Sequence, residues 1–468
     1  MTGKYAIRFD YQDKLAPRLG FSYDVLGNGR TKAYGSYGKF YDVTKMEMPR
    51  GSFGGDKWIY WPFSLDTFDW TQLNKCTNVT NNPKVLPSCP GMTLQGGGVD
   101  LRGQANNVDL PLIDPHLKPM ELREVALGFQ QELTPTMAVG FRYANKHLVR
   151  AIEDVGVHVF LPSGSESEQF FIANPGEGVA TTILKATGCD TCPAMPHAKR
   201  DYNGFEFEFT KRFSRNWSTH VSYVYSTLKG NYSGLANSDE AAATGNARTS
   251  PNVNRIFDSL FMLYDQSGTR QVEGKLGGDR PHQAKAQVNY SFPFGTSIGV
   301  NEFYYSGVPG TTEMRFQGAP FFAFNRGDLG RTPNITQTDI DVHHDFRLGR
   351  YGVSIGAIVL NLFDQKSVMN VNPVWSTTSI LLRDLSACGS GDVTVAACGP
   401  SANTPVIGGP TSSAARSLAQ AKAFFQGFDA KRQRARQVAL GLVPSPTYGQ
   451  PNAYQDPREV RVFVRMIF

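Results

Sequence analysis

Several stretches of this chain alternate between apolar and polar side chains with a period of two. Phe205, Phe207 and Phe209 alternate with polar residues such as Glu206, and the stretch 282–294 repeats the pattern. Successive side chains of an extended strand point to opposite faces, so this period is typical of β-strands with one apolar and one polar face. The pattern predicts an all-β protein.

The predicted strands come in couples joined by short connections of Gly, Asn, Ser, Pro or Thr, the chemistry of tight hairpins. An eleventh strand, 458–468, stands alone. The couples are 15–26 with 31–42, 121–133 with 137–149, 202–213 with 217–228, 282–294 with 297–308, and 336–348 with 352–363.

The connections between couples are long, in contrast to those within couples. Loops of this length are uncommon in compact soluble domains, whereas membrane β-barrels alternate short periplasmic turns with long extracellular loops. Strands of about 11–13 residues also exceed the usual 5–6 and match a tilted span of a bilayer. We therefore predict an antiparallel transmembrane β-barrel with these long loops: 43–120, 150–201, 229–281, 309–335 and 364–457.

Aromatic residues beside the short turns agree with a membrane position. Phe213, Trp217 and Phe294 lie where an aromatic girdle meets the membrane–water interface. A soluble sandwich, which would turn the apolar faces into a protein core, is the alternative for any single strand.

Composition excludes some classes of protein. A net charge of +6 over 468 residues is mild and argues against a nucleic-acid partner. No run of about 18 apolar residues predicts a transmembrane helix, and the first residues lack the apolar core of a signal peptide. The chain is therefore either cytoplasmic or does not start at the true beginning of a mature protein.

The six cysteines form three close pairs, which predicts loop disulfides in an oxidising compartment. Six unrelated thiols are the alternative. The middle pair has CxxC spacing, but it lies in a loop rich in Gly, Pro and Thr and has too few neighbouring ligands for a structural zinc site. The pairs are Cys76 with Cys89, Cys189 with Cys192, and Cys388 with Cys398.

Two loop segments carry candidate binding chemistry. The first long loop contains four aromatic residues: Trp58, Tyr60, Trp61 and Trp70. Their rings could stack on a sugar, a peptide or an aromatic chelator. The alternative is that the loop packs on itself. In the last long loop, the sequence of 412–442 predicts helices with a basic cluster at 431–436. This cluster could contact lipopolysaccharide phosphates, or it could be the solvent-exposed face of a helix.

Catalytic motifs such as GxSxG, HExxH and the Walker loop do not occur, so we predict neither an enzyme nor a cofactor or metal site. Glu206 and Glu208 would suit a glycosidase, and we interpret them instead as lining of a wet lumen. Another strand carries an alternating row of Asp339, Asp341, His343 and Asp345, which together with His344 could suggest a cation site. We interpret this row as lumen lining too.

Four segments together resemble the C-terminal part of TonB-dependent outer-membrane receptors, with the closest likeness to the Oar-like group. They are KLAPRLGFSYDVLGNGRTKAYGSYGKFYD (14–42), GNYSGLANSDE (230–240), NLFD (361–364) and YGQPNAYQDPREVRVFVRMIF (448–468). Val464, Met466 and the terminal Phe468 are similar to the signal read by the barrel assembly machinery.

The resemblance implies a location in the cell outer membrane and import of a scarce small molecule, peptide or glycan through the long loops. Large plugged barrels have 22 strands, so residues 1–468 are expected to supply strands 12 to 22. The signal peptide, the plug through which TonB acts and the first strands are absent from the sequence. Two alternatives remain: a structural or adhesion barrel without transport, and a soluble secreted all-β glycan-binding or hydrolytic protein.

Overall fold

The computed structural model describes most of the predicted strands and parts of the long connections. The described residues are 8–42, 59–65, 69–78, 85–95, 99–100, 113–160, 166–181, 195–234, 257, 273–316, 319–322, 324–349, 351–380 and 445–467. Among them, no helix is both long and apolar enough to span a bilayer.

Eleven long strands form one antiparallel sheet in which each strand pairs with the next along the chain. The predicted all-β antiparallel meander is confirmed, with most strand ends within three residues of expectation. The strands are β1 (Arg18–Asp24), β2 (Thr31–Tyr41), β3 (Glu121–Thr134), β4 (Met137–Arg150), β5 (Arg200–Ser214), β6 (Trp217–Gly230), β7 (His282–Ser291), β8 (Thr296–Tyr305), β9 (Ile335–Leu348), β10 (Tyr351–Leu360) and β11 (Glu459–Ile467).

The short turns lie together at one end of the sheet, and their backbone explains their sequences. Arg215 and Asn216 form the two-residue turn between β5 and β6 with φ of 51° and 69°. Two consecutive positive φ values define the type I′ hairpin, whose twist matches that of the flanking strands. Gly295 (φ 96°) and Gly349 (φ 65°) supply the same freedom at two other turns.

The sheet has an apolar face and a polar face, set by the register of the strands. On the apolar face, Phe141 stands opposite both Phe129 of β3 and Phe207 of β5. On the polar face, Arg142 stands opposite Glu206. Large apolar side chains of the first face remain exposed, including Phe141 (55%) and Phe205 (58%), so no other part of the described chain covers them.

The two terminal strands of the sheet run in the same direction. Antiparallel pairing reverses direction at each step, and ten steps separate β1 from β11. All seven residues of β1 are exposed. Within the described residues, each of these strands has one paired edge and one free edge.

Parts of the long connections fold at the other end of the sheet, opposite the short turns. Short antiparallel strand pairs form there, including Glu153–Phe160 with Glu166–Ala173 and Val368–Val371 with Pro451–Tyr454. We call these segments the loop body; its fully buried side chains include Phe171, Tyr232, Phe322 and Trp375. A two-residue strand, Gly274–Lys275, extends the main sheet beside β6.

Some expectations about the elements differ from the structure or lie outside it. β1 ends at Asp24 rather than 26, so its turn is longer than predicted, and β7 ends at Ser291, which places Phe294 in the turn. The expected helices of 412–442 and their basic cluster 431–436 lie outside the described residues.

Candidate functional site

The polar face holds a cleft of about 400 Å³ that spans strands β3 to β6. Two cross-strand ion pairs lie in it: Lys146 Nζ is 3.3 Å from Glu124 Oε2, and Arg142 Nη2 is 2.6 Å from Glu206 Oε2. Opposite charges alternate along this surface, so it suits a polar or zwitterionic occupant better than an apolar one.

A second cleft, of about 340 Å³, lies on the same face near the short turns. Arg30, Lys32, Gln130 and Glu132 are among its lining residues, and Arg30 Nε is 3.8 Å from Glu132 Oε1. The polar face therefore offers paired charges from the loop body down to the turns.

Glu206 and Glu208, which the sequence presents as a carboxylate pair, are engaged separately. Glu206 pairs with Arg142, whereas Glu208 Oε1 is 3.5 Å from His220 Nδ1. Each carboxylate is matched to a cationic or hydrogen-bonding partner on a neighbouring strand, which fits the lining that the sequence predicted.

The acidic row of β9 also lines the polar face. Asp339 accepts hydrogen bonds from the backbone N–H of Asn361 (2.8 Å) and from the side chain of Gln337. Asp341 contacts His343 at 2.8 Å, and Asp345 accepts a hydrogen bond from the Ser354 hydroxyl at 2.6 Å. The described residues contain no cluster of three side chains that could hold a metal. The neighbouring His344 points to the apolar face, where its Nδ1 lies 2.8 Å from Thr296 Oγ1.

The NLFD segment joins the loop-body ends of β9, β10 and β11. Asn361 and Asp364 both adopt positive φ. The Asn361 amide side chain donates to the carbonyls of Gln365 (2.9 Å) and Asp456 (2.8 Å). The backbone N–H of Arg458 donates to Asp364 Oδ1, and this bond, with Lys366, lowers the pKa of Asp364. The segment thus fixes where the last strand enters the sheet.

The loop body buries polar groups as well as apolar ones. Tyr232 is fully buried beside Phe257, and its pKa is raised well above the usual value by desolvation and by Glu153. Asp279, which is 2% exposed, accepts from the Leu228 N–H at 2.6 Å and contacts Arg331. Buried polar groups with defined partners favour one fixed arrangement of these segments.

The first long loop contains a disulfide between Cys76 and Cys89, whose Cα atoms are 4.2 Å apart. Tyr60 lies in the short strand Ile59–Tyr60, Trp61 follows it and is half-buried, and Trp70 begins the 3₁₀ helix Trp70–Lys75. Hydrogen bonds from Thr71 and Gln72 lower the pKa of Asp69 beside this helix. Trp58 and the cysteines at 189, 192, 388 and 398 lie outside the described residues.

The final strand presents its apolar side chains on the apolar face of the sheet. Val464 and Met466 stand opposite Ile355 and Val353 of β10 and are 61% and 59% exposed. Phe468 lies outside the described residues.

These faces belong to a protein that spans the outer membrane. A family model described as the outer membrane beta barrel domain matches residues 3–308, and the chain belongs to that family. The apolar face therefore meets lipid and the polar face lines the barrel interior. From Phe205 to Phe213 the β5 strand rises by about 27 Å along its own axis, or about 20 Å along the membrane normal once tilted, which spans most of the ~25 Å apolar band of such barrels.

Over 482 aligned residues the chain is 24% identical to the TonB-dependent transporter Oar of Myxococcus xanthus, covering 97% of this chain and 39% of that protein. The chain thus spans about two fifths of the length of this relative.

Two solved structures are also similar. The outer membrane transporter YddB from Escherichia coli has 11% identity and a TM-score of 0.41, covering 76% of this chain and 38% of that one. The siderophore receptor PiuA from Acinetobacter baumannii has 9% identity and a TM-score of 0.37, covering 75% and 32%.

The predicted outer-membrane location is confirmed by the family to which the chain belongs. Two alternatives left open by the sequence, a cytoplasmic location and a soluble glycan-binding protein, conflict with that family. Sequence reasoning also missed the partners of Glu206 and Glu124, because cross-strand contacts depend on a register that only the folded sheet defines.

Proposed function

We propose that this chain forms part of the barrel of a TonB-dependent transporter, which binds a scarce ligand through its long external loops and imports it. The observation that carries this proposal is the 24% identity to a TonB-dependent transporter over nearly the whole chain. The charged polar face and its clefts of about 400 and 340 Å³ suit a hydrophilic path.

Residues 1–468 are, in this proposal, the C-terminal portion of the barrel, strands 12 to 22. The directions of the terminal strands support it. Because β1 and β11 run the same way, an antiparallel closure needs an odd number of additional strands between them. Eleven upstream strands meet that requirement and give an even total, as in bacterial barrels. An upstream plug would supply the contact with TonB.

Ligand contact is assigned in this proposal to the first long loop. Trp58, Tyr60, Trp61 and Trp70 belong to this loop, which also contains the Cys76–Cys89 disulfide. Such surfaces stack on sugar, peptide or chelator rings. The other predicted disulfides, Cys189–Cys192 and Cys388–Cys398, are proposed on the sequence spacing alone.

A growth experiment tests transport. A strain lacking the full-length protein is grown with iron, cobalamin, peptide or glycan in turn as the limiting nutrient. Transport predicts slower growth on one nutrient, with no further loss on that nutrient when TonB is also removed. Normal growth on all of them, together with lost surface attachment, would instead establish the alternative of an adhesion barrel.

A further inference from the structure

A row of polar residues, most of them basic, crosses the lipid-facing side of the sheet above the apolar band. The register places these six residues side by side on consecutive strands: Lys39, Arg123, His147, Asp201, Lys229 and Lys275. Four are cationic at neutral pH and one is acidic. The row lies toward the loop body, on the external side of the band.

Aromatic side chains mark the edge of the band below this row. The Tyr225 and His282 rings have centroids 5.3 Å apart, and the Tyr223 hydroxyl lies 2.7 Å from His282 Nδ1. Aromatic residues with a polar tip are typical of the membrane interface. Lys229 lies four residues beyond Tyr225, about 13 Å along the strand, so on a tilted strand it lies about 10 Å above the aromatic edge. From there a lysine side chain can reach the layer of the lipid headgroups.

The carboxylates near the row are already engaged. Asp201 contacts His147 Nδ1. Glu121 shares its Oε1 with Arg123 Nε (2.8 Å) and Lys39 Nζ (3.7 Å). These contacts neutralise much of the β2 to β5 part of the row.

Lys229 and Lys275 differ from the rest of the row. They stand directly opposite each other, both exposed, and neither forms an ion pair with any described residue. Glu273, two residues before Lys275, pairs with Lys199 at 2.6 Å. Like charges directly opposite destabilise a strand pair, so this arrangement costs free energy unless an anion lies between the two ammonium groups.

The strand that carries Lys275 is held in place. The Leu276 N–H donates to the Leu228 carbonyl at 3.1 Å, and Asp279 accepts from the Leu228 N–H. Gly274, the other residue of this short strand, stands opposite Gly230 of β6. The backbone positions of the two lysines are therefore fixed relative to each other.

We propose that Lys229 and Lys275 bind a phosphate of a phosphorylated lipid headgroup in the external leaflet. Two ammonium groups above an aromatic edge complement a phosphomonoester anchored by acyl chains on the apolar face. The proposal depends on the outer-membrane location and not on transport.

Native mass spectrometry of the full-length protein tests the site, with lipid A carrying both phosphates as the probe. The double variant Lys229→Gln/Lys275→Gln is expected to bind this probe about tenfold more weakly than the wild type, because two charge-assisted contacts are lost. Lys285→Gln, an exposed lysine of the polar face, is the matched control and should bind as the wild type does.

Three further measurements distinguish the loss of charge from other causes of weaker binding. Lys229→Arg/Lys275→Arg should retain binding, which separates lost charge from a folding defect. Dephosphorylated lipid A should bind the wild type and the Gln variant equally, and inorganic phosphate should not displace the intact probe. Equal binding of the phosphorylated probe by the wild type and the Gln variant would overturn the proposal, as would an equal loss with the dephosphorylated probe.

Discussion

Lys211 shows how a single cation is accommodated on a face that meets lipid. Its side chain is buried beside the β5–β6 turn, with Nζ 4.0 Å from the centre of the Trp217 ring. The ammonium donates to the carbonyls of Ser214 and Trp217, both at 2.8 Å. The apolar stem packs along the wall and the charge reaches the interface, which is the snorkelling typical of lysine.

We expect Lys211→Met to destabilise the barrel. The stem is retained, but two turn carbonyls lose a charged donor at a site shielded from water, a loss of about 1–3 kcal/mol. Urea unfolding of the full-length protein in lipid vesicles measures this free energy. Lys285→Met, an exposed lysine of the polar face, is the control, and an equal effect of both substitutions would show that the Lys211 contacts are not stabilising.

At the scale of the strand, alternation alone was enough to predict the whole meander. Phe205, Phe207 and Phe209 lie on the lipid-facing side because a period of two leaves no other choice once the strand is extended. The positions of the turns could also be predicted where Gly or Asn supplied positive φ.

The missing parts of the prediction are those that depend on distant partners. Gly274–Lys275 is too short to show a period, and it becomes a strand only because β6 and the Asp279 contacts hold it. The strand pair of Val368–Val371 with Pro451–Tyr454 joins residues far apart in sequence. The strand propensity of a short segment does not predict pairings of this kind, because they depend on the neighbouring strand.

The final strand carries a prediction about assembly. Val464 and Met466 face lipid beside β10, and the pattern continues to Phe468. If Val464, Met466 and Phe468 form the assembly signal, deletion of Phe468 from the full-length protein should lower its amount in the outer membrane severalfold. Surface labelling followed by quantitative blotting measures this.

Arg465→Gln provides the matched control for that deletion, because it changes the same strand on its polar face. Normal surface amounts after deletion of Phe468 would remove its assigned role. A comparable loss in both variants would mean that the strand matters for stability rather than as a signal.

At the scale of the whole molecule, one sheet separates two solvents. Large apolar side chains lie exposed on one side, and the paired charges of Arg142 with Glu206 and Lys146 with Glu124 lie on the other. In a soluble protein the first side would be covered. Here the exposed apolar surface contacts the hydrocarbon chains of the lipid.

Neighbouring cysteine substitutions on β7 test this separation. Val288 and Gln287 are adjacent, both exposed, and on opposite faces. Val288→Cys in the full-length protein, in membranes, should react with a maleimide confined to the bilayer and not with a water-soluble one. Gln287→Cys should show the reverse preference. Resistance of Val288→Cys to both reagents would mean that protein covers the apolar face.

The outer edges of β1 and β11 have a consequence for how a larger wall could be assembled. Within the described residues each of these two strands is paired on one side only. The unpaired N–H and C=O groups of an edge strand are a template on which another strand can add. Further strands of a barrel would therefore join the sheet at these two positions.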